Sequence, residues 1–146
     1  MSILKVDTIN EKTSGNGVII PGHILQAKRA FSSTTVTVNA SAGTGASVTL
    51  NRLGANSNFI IIVAAAIVRP ATSGWHNMGY NVNGSGQVLE NVKDDNSWAT
   101  QTITFLETSL TNPVGASLTF NAINHTSVAQ NDQFKNSSIL VMEVAA

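Results

Sequence analysis

The chain has 146 residues, of which 42% are hydrophobic and only 11% are charged, and it contains no cysteine. This length suits a single domain with one core, and the lack of cysteine excludes disulfides, thiolate catalysis and cysteine-based metal sites. Eight basic and eight acidic residues cancel, so the sequence does not show the clustered positive charge that binding to nucleic acid or to an anionic membrane requires.

Residues 1–22 are predicted to form an extended N-terminal arm. Their apolar residues are spaced along the chain and are interrupted by the turn-rich stretch 13–17 and by Pro21-Gly22. Such an arm exposes its apolar side chains unless a partner subunit covers them. The arm therefore predicts assembly with a partner, through Ile3, Leu4, Val6, Ile9, Val18, Ile19 and Ile20.

From residue 23 onward, short β-type runs are separated by Gly, Asn, Ser and Pro. Strict alternation of apolar and polar residues, as in 35–38 and 102–105, indicates strands with one buried face and one wet face. We predict strands over 24–31, 35–39, 47–53, 59–69, 76–82, 87–92, 100–107, 117–123 and 139–144. This pattern favours an all-β fold, a single antiparallel β-sandwich or jelly roll over 23–146 that follows the arm of 1–22.

Three stretches carry more specific predictions. The run 59–63 has no polar residue, which predicts burial on both sides, at the centre of the sandwich or between subunits. The longest apolar run, 59–68, is about half of what a membrane span requires. The glycine-containing stretches 83–86 and 42–45 are both predicted to be turns that act as hairpin connections.

Catalytic chemistry is not predicted. Nucleophilic hydrolysis needs a serine or cysteine on a suitable turn, a histidine base and a carboxylate, and no Gly-x-Ser-x-Gly motif is present. Glycoside hydrolysis needs two positioned carboxylates. Glu107 and Glu143 stand at the ends of strand runs, where chance and solubility explain them. We predict that the protein is not an enzyme and uses no cofactor.

A metal site is not predicted either. Asp94-Asp95-Asn96 is an oxygen-rich cluster that could contribute to calcium binding, but calcium takes six to eight ligands, and a solvated loop explains the cluster without a metal. His23, His76 or His125 could bind a metal on a threefold axis, yet a lone histidine is far more often structural.

Aromatic residues suggest a second kind of surface. Trp75, Tyr80 and Trp98 have flat rings with polar edges, which suit the stacking of sugar rings. The alternative is that these rings cap the open ends of the sandwich. With the neighbouring loop that contains Asp94 and Asp95, they form a candidate glycan-binding site.

Two segments resemble bacteriophage proteins. Residues 2–9 (SILKVDTI), 13–18 (TSGNGV) and 20–26 (IPGHILQ) resemble the leader of tail-fibre-like and virion structural proteins of marine and cyanobacterial phages. Residues 138–146 (SILVMEVAA) resemble the final strand of the same proteins. The resemblance implies a trimeric, jelly-roll-like surface module whose leader is an attachment or interchain strand. Fibre relatives usually carry a long shaft or several repeats, whereas here Gln26 leads almost directly into the predicted sandwich.

Two roles on a phage particle follow from this resemblance. We favour a homotrimeric capsid decoration, or cement, protein that binds the major capsid protein through its arm, because the chain has no shaft and the arm is adhesive. The alternative is a short tail fibre, a tail component that recognises a host surface glycan through the aromatic site. Either protein is expected to be made in the host cytoplasm and to reside on the virion surface, without binding nucleic acid or inserting into a membrane.

Overall fold

Nine strands make up most of the chain that the computed structural model describes, residues 22–38, 42–68, 74–94, 98–125 and 132–146. They are β1 (Ile24–Ser32), β2 (Val36–Val38), β3 (Ala42–Asn51), β4 (Asn58–Val68), β5 (Gly74–Val82), β6 (Ser85–Asp94), β7 (Ala99–Glu107), β8 (Ser117–His125) and β9 (Asp132–Val144). The all-β class is confirmed, and each predicted strand overlaps an observed one. The described residues contain no helix of the length and apolarity that crossing a membrane takes.

The strands form two antiparallel sheets. The first sheet has the order β1-β9-β4-β7, with the short β2 also paired to β9, and the second sheet has the order β3-β8-β5-β6. Among the eight long strands, the first pairs with the last, the second with the seventh, the third with the sixth and the fourth with the fifth. This is a long hairpin folded over into two layers, which is the jelly-roll form of the β-sandwich.

The core lies between the inner faces of the two sheets. Alternate residues of β4, among them Phe59 and Ile61, are fully buried and meet Phe120 of β8 and Tyr80 of β5. The rings of Phe59 and Phe120 lie 5.3 Å apart, and those of Tyr80 and Phe105 lie 5.1 Å apart in an edge-to-face arrangement. Both geometries are among those that aromatic pairs prefer. The sheets are therefore joined by interlocking side chains.

The apolar run of β4 is buried on one side by the chain itself. β4 lies between β9 and β7 inside the first sheet, and Phe59, Ile61 and Val63 point into the core. Ile60 and Ile62 point outward and are only half-buried. The prediction of two-sided burial within the sandwich is therefore wrong, because no third layer among the described residues covers this face. Burial between subunits stays a prediction.

The two predicted turns have opposite outcomes. Asn83 and Gly84 join β5 to β6, and their φ angles of 52° and 77° are the pair of positive values that a two-residue type I′ hairpin needs. This turn is confirmed. Residues 42–45, in contrast, are the first part of β3, so a turn there is wrong. A Cβ at Gly45 would lie 2.7 Å from the ring of Phe134, so this glycine provides room for close packing of β9 on β3.

Candidate functional site

One end of the sandwich is the place where the N-terminal segment joins it. The N–H of Gly22 donates to the carbonyl of Ala145 at 2.8 Å, and the N–H of Ala145 donates to the carbonyl of His23 at 2.9 Å. The loops 52–57 and 108–116 and the Asn83-Gly84 turn lie at this same end, which we call the arm end. Residues 1–21 of the arm lie outside the described residues.

A buried arginine holds the two loops of the arm end together. Arg52 is 2% exposed, and all five N–H groups of its guanidinium donate to backbone carbonyls. Within its own loop, it donates to Gly54 at 2.8 Å, Ala55 at 3.0 Å and Ser57 at 3.2 Å. Its remaining donors reach Leu110 at 2.6 Å and Asn112 at 2.7 Å in the other loop. A single side chain therefore ties loop 52–57 to loop 108–116.

A buried carboxylate binds the donors of the same loop. Glu143 of β9 is fully buried and accepts hydrogen bonds from the N–H of Leu53, at 2.9 Å to Oε1, and from that of Gly54 at 2.8 Å. The Ser57 hydroxyl donates at 2.5 Å and the Gln26 amide at 2.6 Å. Backbone carbonyls of loop 52–57 thus accept hydrogen bonds from Arg52, and backbone N–H groups of the same loop donate to Glu143. The loop is therefore held through both kinds of backbone group.

A second carboxylate is paired with the buried tyrosine. The Tyr80 hydroxyl donates to Oε2 of Glu107 at 2.7 Å, and the N–H and hydroxyl of Ser109 both donate to Oε1 at 2.6 Å. Burial and the adjacent Glu107 raise the pKa of Tyr80 above its ordinary value of 10, so the phenol remains a donor. Burial favours a higher pKa for Glu107 as well, but hydrogen bonds from Ser109, Tyr80 and the Thr108 backbone outweigh it and lower that pKa.

These contacts correct one interpretation of the sequence. Glu107 and Glu143 were explained by chance and solubility, but both are buried and hydrogen-bonded. Charged groups are costly to bury unless polar partners replace water, and each carboxylate has such partners. Their positions at strand ends therefore serve to hold the loops of the arm end.

Glu107 also lines an open cleft of about 400 Å³ at the arm end. The residues around it include Asn83, Ser109 and Asn112. Glu107 is the one carboxylate among the described residues that line the cleft, and its oxygens already accept three hydrogen bonds from Tyr80 and Ser109. The arrangement is suited to holding the start of loop 108–116 against β5. It does not bring together the two carboxylates that glycoside hydrolysis uses.

The Tyr80 hydrogen bond predicts a pH-dependent contribution to stability. At neutral pH, Tyr80→Phe is expected to lower the free energy of unfolding by about 2 kcal/mol, since it removes a buried hydrogen bond to a charged group. Because the folded-state pKa of Glu107 is lowered, this stabilisation is present above the ordinary carboxyl pKa of 4.5 and is lost as the pH falls through the folded value. The difference between wild type and variant should therefore shrink from pH 7 to pH 3 in urea titrations. A difference that stayed constant, or that persisted in a Glu107→Gln background, would contradict this account.

Two of the candidate glycan-binding side chains, those of Tyr80 and Trp98, lie among the described residues. Tyr80 is 1% exposed, so its inclusion in a sugar-stacking surface is wrong, because the core covers its ring. Trp98 is 42% exposed at the end of the sandwich opposite the arm end, and the Lys135 ammonium lies 3.9 Å from its ring centroid, a cation–π contact. The side chains of Trp75 and Asp94, and all of Asp95, lie outside the described residues.

The arm residues are not tested by the structure. Ile3, Leu4, Val6, Ile9, Val18, Ile19 and Ile20 all lie outside the described residues, so the attachment role of the arm stays a prediction. Within the described ranges, no group of three or more His, Cys, Asp or Glu side chains is placed to hold a metal ion. At the end opposite the arm end, Asn124 is fully buried and its side-chain amide has no hydrogen-bond partner among the described residues.

The jelly roll defines the class of domain, and solved structures share it. No family model matches the chain, and no curated protein matches it either. A chain of the infectious bursal disease virus particle has a TM-score of 0.53 and 8% identity over 95% of this chain and 35% of that chain. The present chain therefore spans about a third of that viral protein.

Two further structures are similar over nearly their whole length. The PRD1 vertex protein P5 has a TM-score of 0.45 and 16% identity, over 84% of this chain and 99% of that chain. The CBM22-1 xylan-binding domain of Paenibacillus barcinonensis Xyn10C has a TM-score of 0.41 and 13% identity, over 88% and 99%. Viral particle proteins are thus among the structures that this chain is similar to, and at these identities the likeness concerns the fold.

Proposed function

We propose that this protein is a non-enzymatic structural protein of the surface of a bacteriophage particle, a homotrimeric capsid decoration protein attached through its N-terminal arm. The observation that carries the proposal is the construction of the arm end. The apolar arm joins the sandwich where Gly22 and Ala145 are hydrogen-bonded and where two charged side chains lock the adjacent loop. A rigid anchor at this point is what an attachment arm requires.

Force on the arm would pass directly into the first sheet. β1 follows the arm and is hydrogen-bonded along its length to β9, which is paired on its other side with β4. Pulling on the arm along the direction of β1 therefore loads all the backbone hydrogen bonds between β1 and β9 together. This is because the hydrogen bonds of an antiparallel pair run perpendicular to the strands. The jelly roll in the infectious bursal disease virus particle supports the proposal as an example of this fold in a viral coat.

Deleting residues 1–22 is expected to leave a folded sandwich that no longer joins the particle. The core and both buried charges are retained in residues 23–146, so far-UV and near-UV circular dichroism should change little. Binding is measured by co-sedimentation with purified phage particles that lack the protein. We expect occupancy to fall at least tenfold relative to the full chain. A truncated protein that decorates particles at full occupancy would rule out attachment through the arm.

The alternative, a short tail fibre that binds a host glycan, is favoured by one observation, the exposed ring of Trp98 beside Lys135. The number of copies per particle separates the two proposals, because a decoration protein covers the capsid and a fibre occupies the tail. Quantitative mass analysis of purified virions should find hundreds of copies. A few tens or fewer, together with a glycan-array signal lost in Trp98→Ala, would favour the fibre.

A further inference from the structure

The outward-facing side of the first sheet is apolar at its centre. Ile60 and Ile62 of β4 point outward, and their partners across β9 are Met142 and Leu140, which are also half-buried. Leu106 of β7 is the outward partner of Ile60 and is 66% exposed. We call this surface the outer β4 face. It is continuous across neighbouring strands, because directly paired residues of antiparallel strands share a face.

The face extends to the opposite edge of the sheet. Phe31 of β1 is 60% exposed and is paired with Ser138, which is paired on its other side with Ala64 of β4. Two strongly exposed large apolar side chains, Phe31 and Leu106, therefore stand at the two edges of the face. Half-exposed apolar side chains of β4 and β9 lie between them, and the polar residues of the face include Ser138, Arg29 on β1, and Thr102 and Thr104 on β7.

The second sheet shows the ordinary pattern for a surface that faces water. Its outward positions on β3 are Ser47, Thr49 and Asn51, all exposed. Thr49 is hydrogen-bonded at 2.8 Å to Thr119 on β8. One outer face of an antiparallel sandwich is expected to be polar if it is solvated. The centre of the outer β4 face lacks this pattern, whereas the edge strand β7 shows it at Thr100, Thr102 and Thr104. The apolar centre is therefore the part of the face that is suited to being covered.

The size and charge of the face fit another copy of this chain. Four strands about 4.8 Å apart and about 30 Å long give a surface of about 600 Å², close to the about 800 Å² that each partner buries in a standard interface. The centre of the face, formed by Ile60, Ile62, Met142 and Leu140, is uncharged, and Arg29, which is paired with Leu140, lies on the edge strand β1. The chain has a net charge of zero, so whole copies do not repel one another. Apolar, uncharged interface cores are typical of homo-oligomers.

We propose that the outer β4 face is the surface through which copies of this chain associate, each copy turning this face toward the axis of the homotrimer. This deepens the proposed function, since it rests on the homotrimer proposed there and identifies the surface that forms it. The arm then remains available for the particle, and the polar outer face of the second sheet remains in water.

Charge placed on the face should separate the copies. The full chain is expected to have a mass near three times the 15.3 kDa of one chain in light scattering after size exclusion. Leu106→Glu and Phe31→Glu should each reduce this mass to that of one chain, about a threefold drop. Both side chains are well exposed in the single chain, so circular dichroism should stay native. Val114→Glu is the matched control, since Val114 is 56% exposed and lies in a loop away from the face.

A cross-link provides a second measurement that does not depend on disrupting the face. The chain has no cysteine, so Ile62→Cys introduces a single thiol near the centre of the face. Mild oxidation should give disulfide-linked pairs in more than half of the chains, whereas Val114→Cys should give few.

The outcomes separate this inference from the proposed function. A full chain whose mass in light scattering is that of one chain, or an oligomer that survives both Leu106→Glu and Phe31→Glu, would overturn the interface. Equal dissociation by Val114→Glu would overturn it as well. Binding of the full chain to particles is scored independently, so loss of the interface does not decide whether the protein decorates capsids.

Discussion

Replacing Arg52 with methionine is expected to lower the free energy of unfolding by about 4 kcal/mol, the range found when one member of a buried charged network is removed. Methionine fills much of the volume but donates nothing, so five backbone carbonyls in loops 52–57 and 108–116 lose the hydrogen bonds from Arg52, although that of Gly54 still accepts from the Ser57 hydroxyl. A domain of this size is stable by about 5–15 kcal/mol, and the loss corresponds to a fall in melting temperature of about 10 °C.

Two further variants show whether geometry or charge matters at this position. Arg52→Lys retains the charge but has three donors on one nitrogen, which cannot reach carbonyls in both loops, so we expect it to lose more than half of what Arg52→Met loses. Lys28→Met is the matched control, because Lys28 is exposed on β1 and donates a single exposed hydrogen bond, to the Thr49 carbonyl, and it should change stability by less than about 1 kcal/mol. Urea denaturation gives these values. A loss under about 1 kcal/mol for Arg52→Met would contradict the role assigned to it.

The strands and their class could be predicted from the sequence because alternation is a local signal. A strand with one buried face repeats every two residues, and most of the runs with this period coincide with observed strands. The order of the strands could not be predicted in this way. The pairing of β1 with β9 joins residues at the two ends of the domain, and it depends on which inner faces fit one another.

The errors in the strand predictions have local physical causes. β9 begins at Asp132, seven residues before the predicted start. Asn136 has a positive φ of 52° there, and the register with β4 shifts between Ala64 and Ala66. An extra residue of this kind exchanges the inward and outward positions of the residues that follow it. The alternation of apolar and polar residues is therefore interrupted within β9, and the first part of the strand could not be recognised by it.

The candidate site could be predicted only in part, although a usable signal is present. Glu143 follows Ile139 and Val141 at intervals of two, so it shares their inward face, and all three are fully buried. Glu107 follows Phe105 in the same way. A carboxylate in phase with core residues indicates a buried, partnered group. The partners themselves are backbone groups of distant loops, and no residue type in the sequence identifies them.

Glu143→Gln is expected to lower the free energy of unfolding by about 3 kcal/mol. Glutamine has nearly the shape of glutamate, but the hydrogen bonds from Leu53, Gly54 and Ser57 lose the negative charge that strengthens them. One end of the new side chain is an NH₂ group, which would face N–H donors. Glu90→Gln, on an exposed position of β6, is the matched control and should be nearly neutral. Urea denaturation of both variants measures the difference.

The double variant Arg52→Met with Glu143→Gln distinguishes a shared loop from two separate contacts. Both side chains bind loop 52–57, one through its carbonyls and the other through its N–H groups. Once either is lost, the loop can turn its freed groups toward water, so the second substitution removes less. We expect the combined loss to fall short of the sum of the single losses by at least about 1 kcal/mol. Strict additivity would mean that the two charges stabilise the arm end independently, and the loop would then not be the single rigid anchor that attachment through the arm needs.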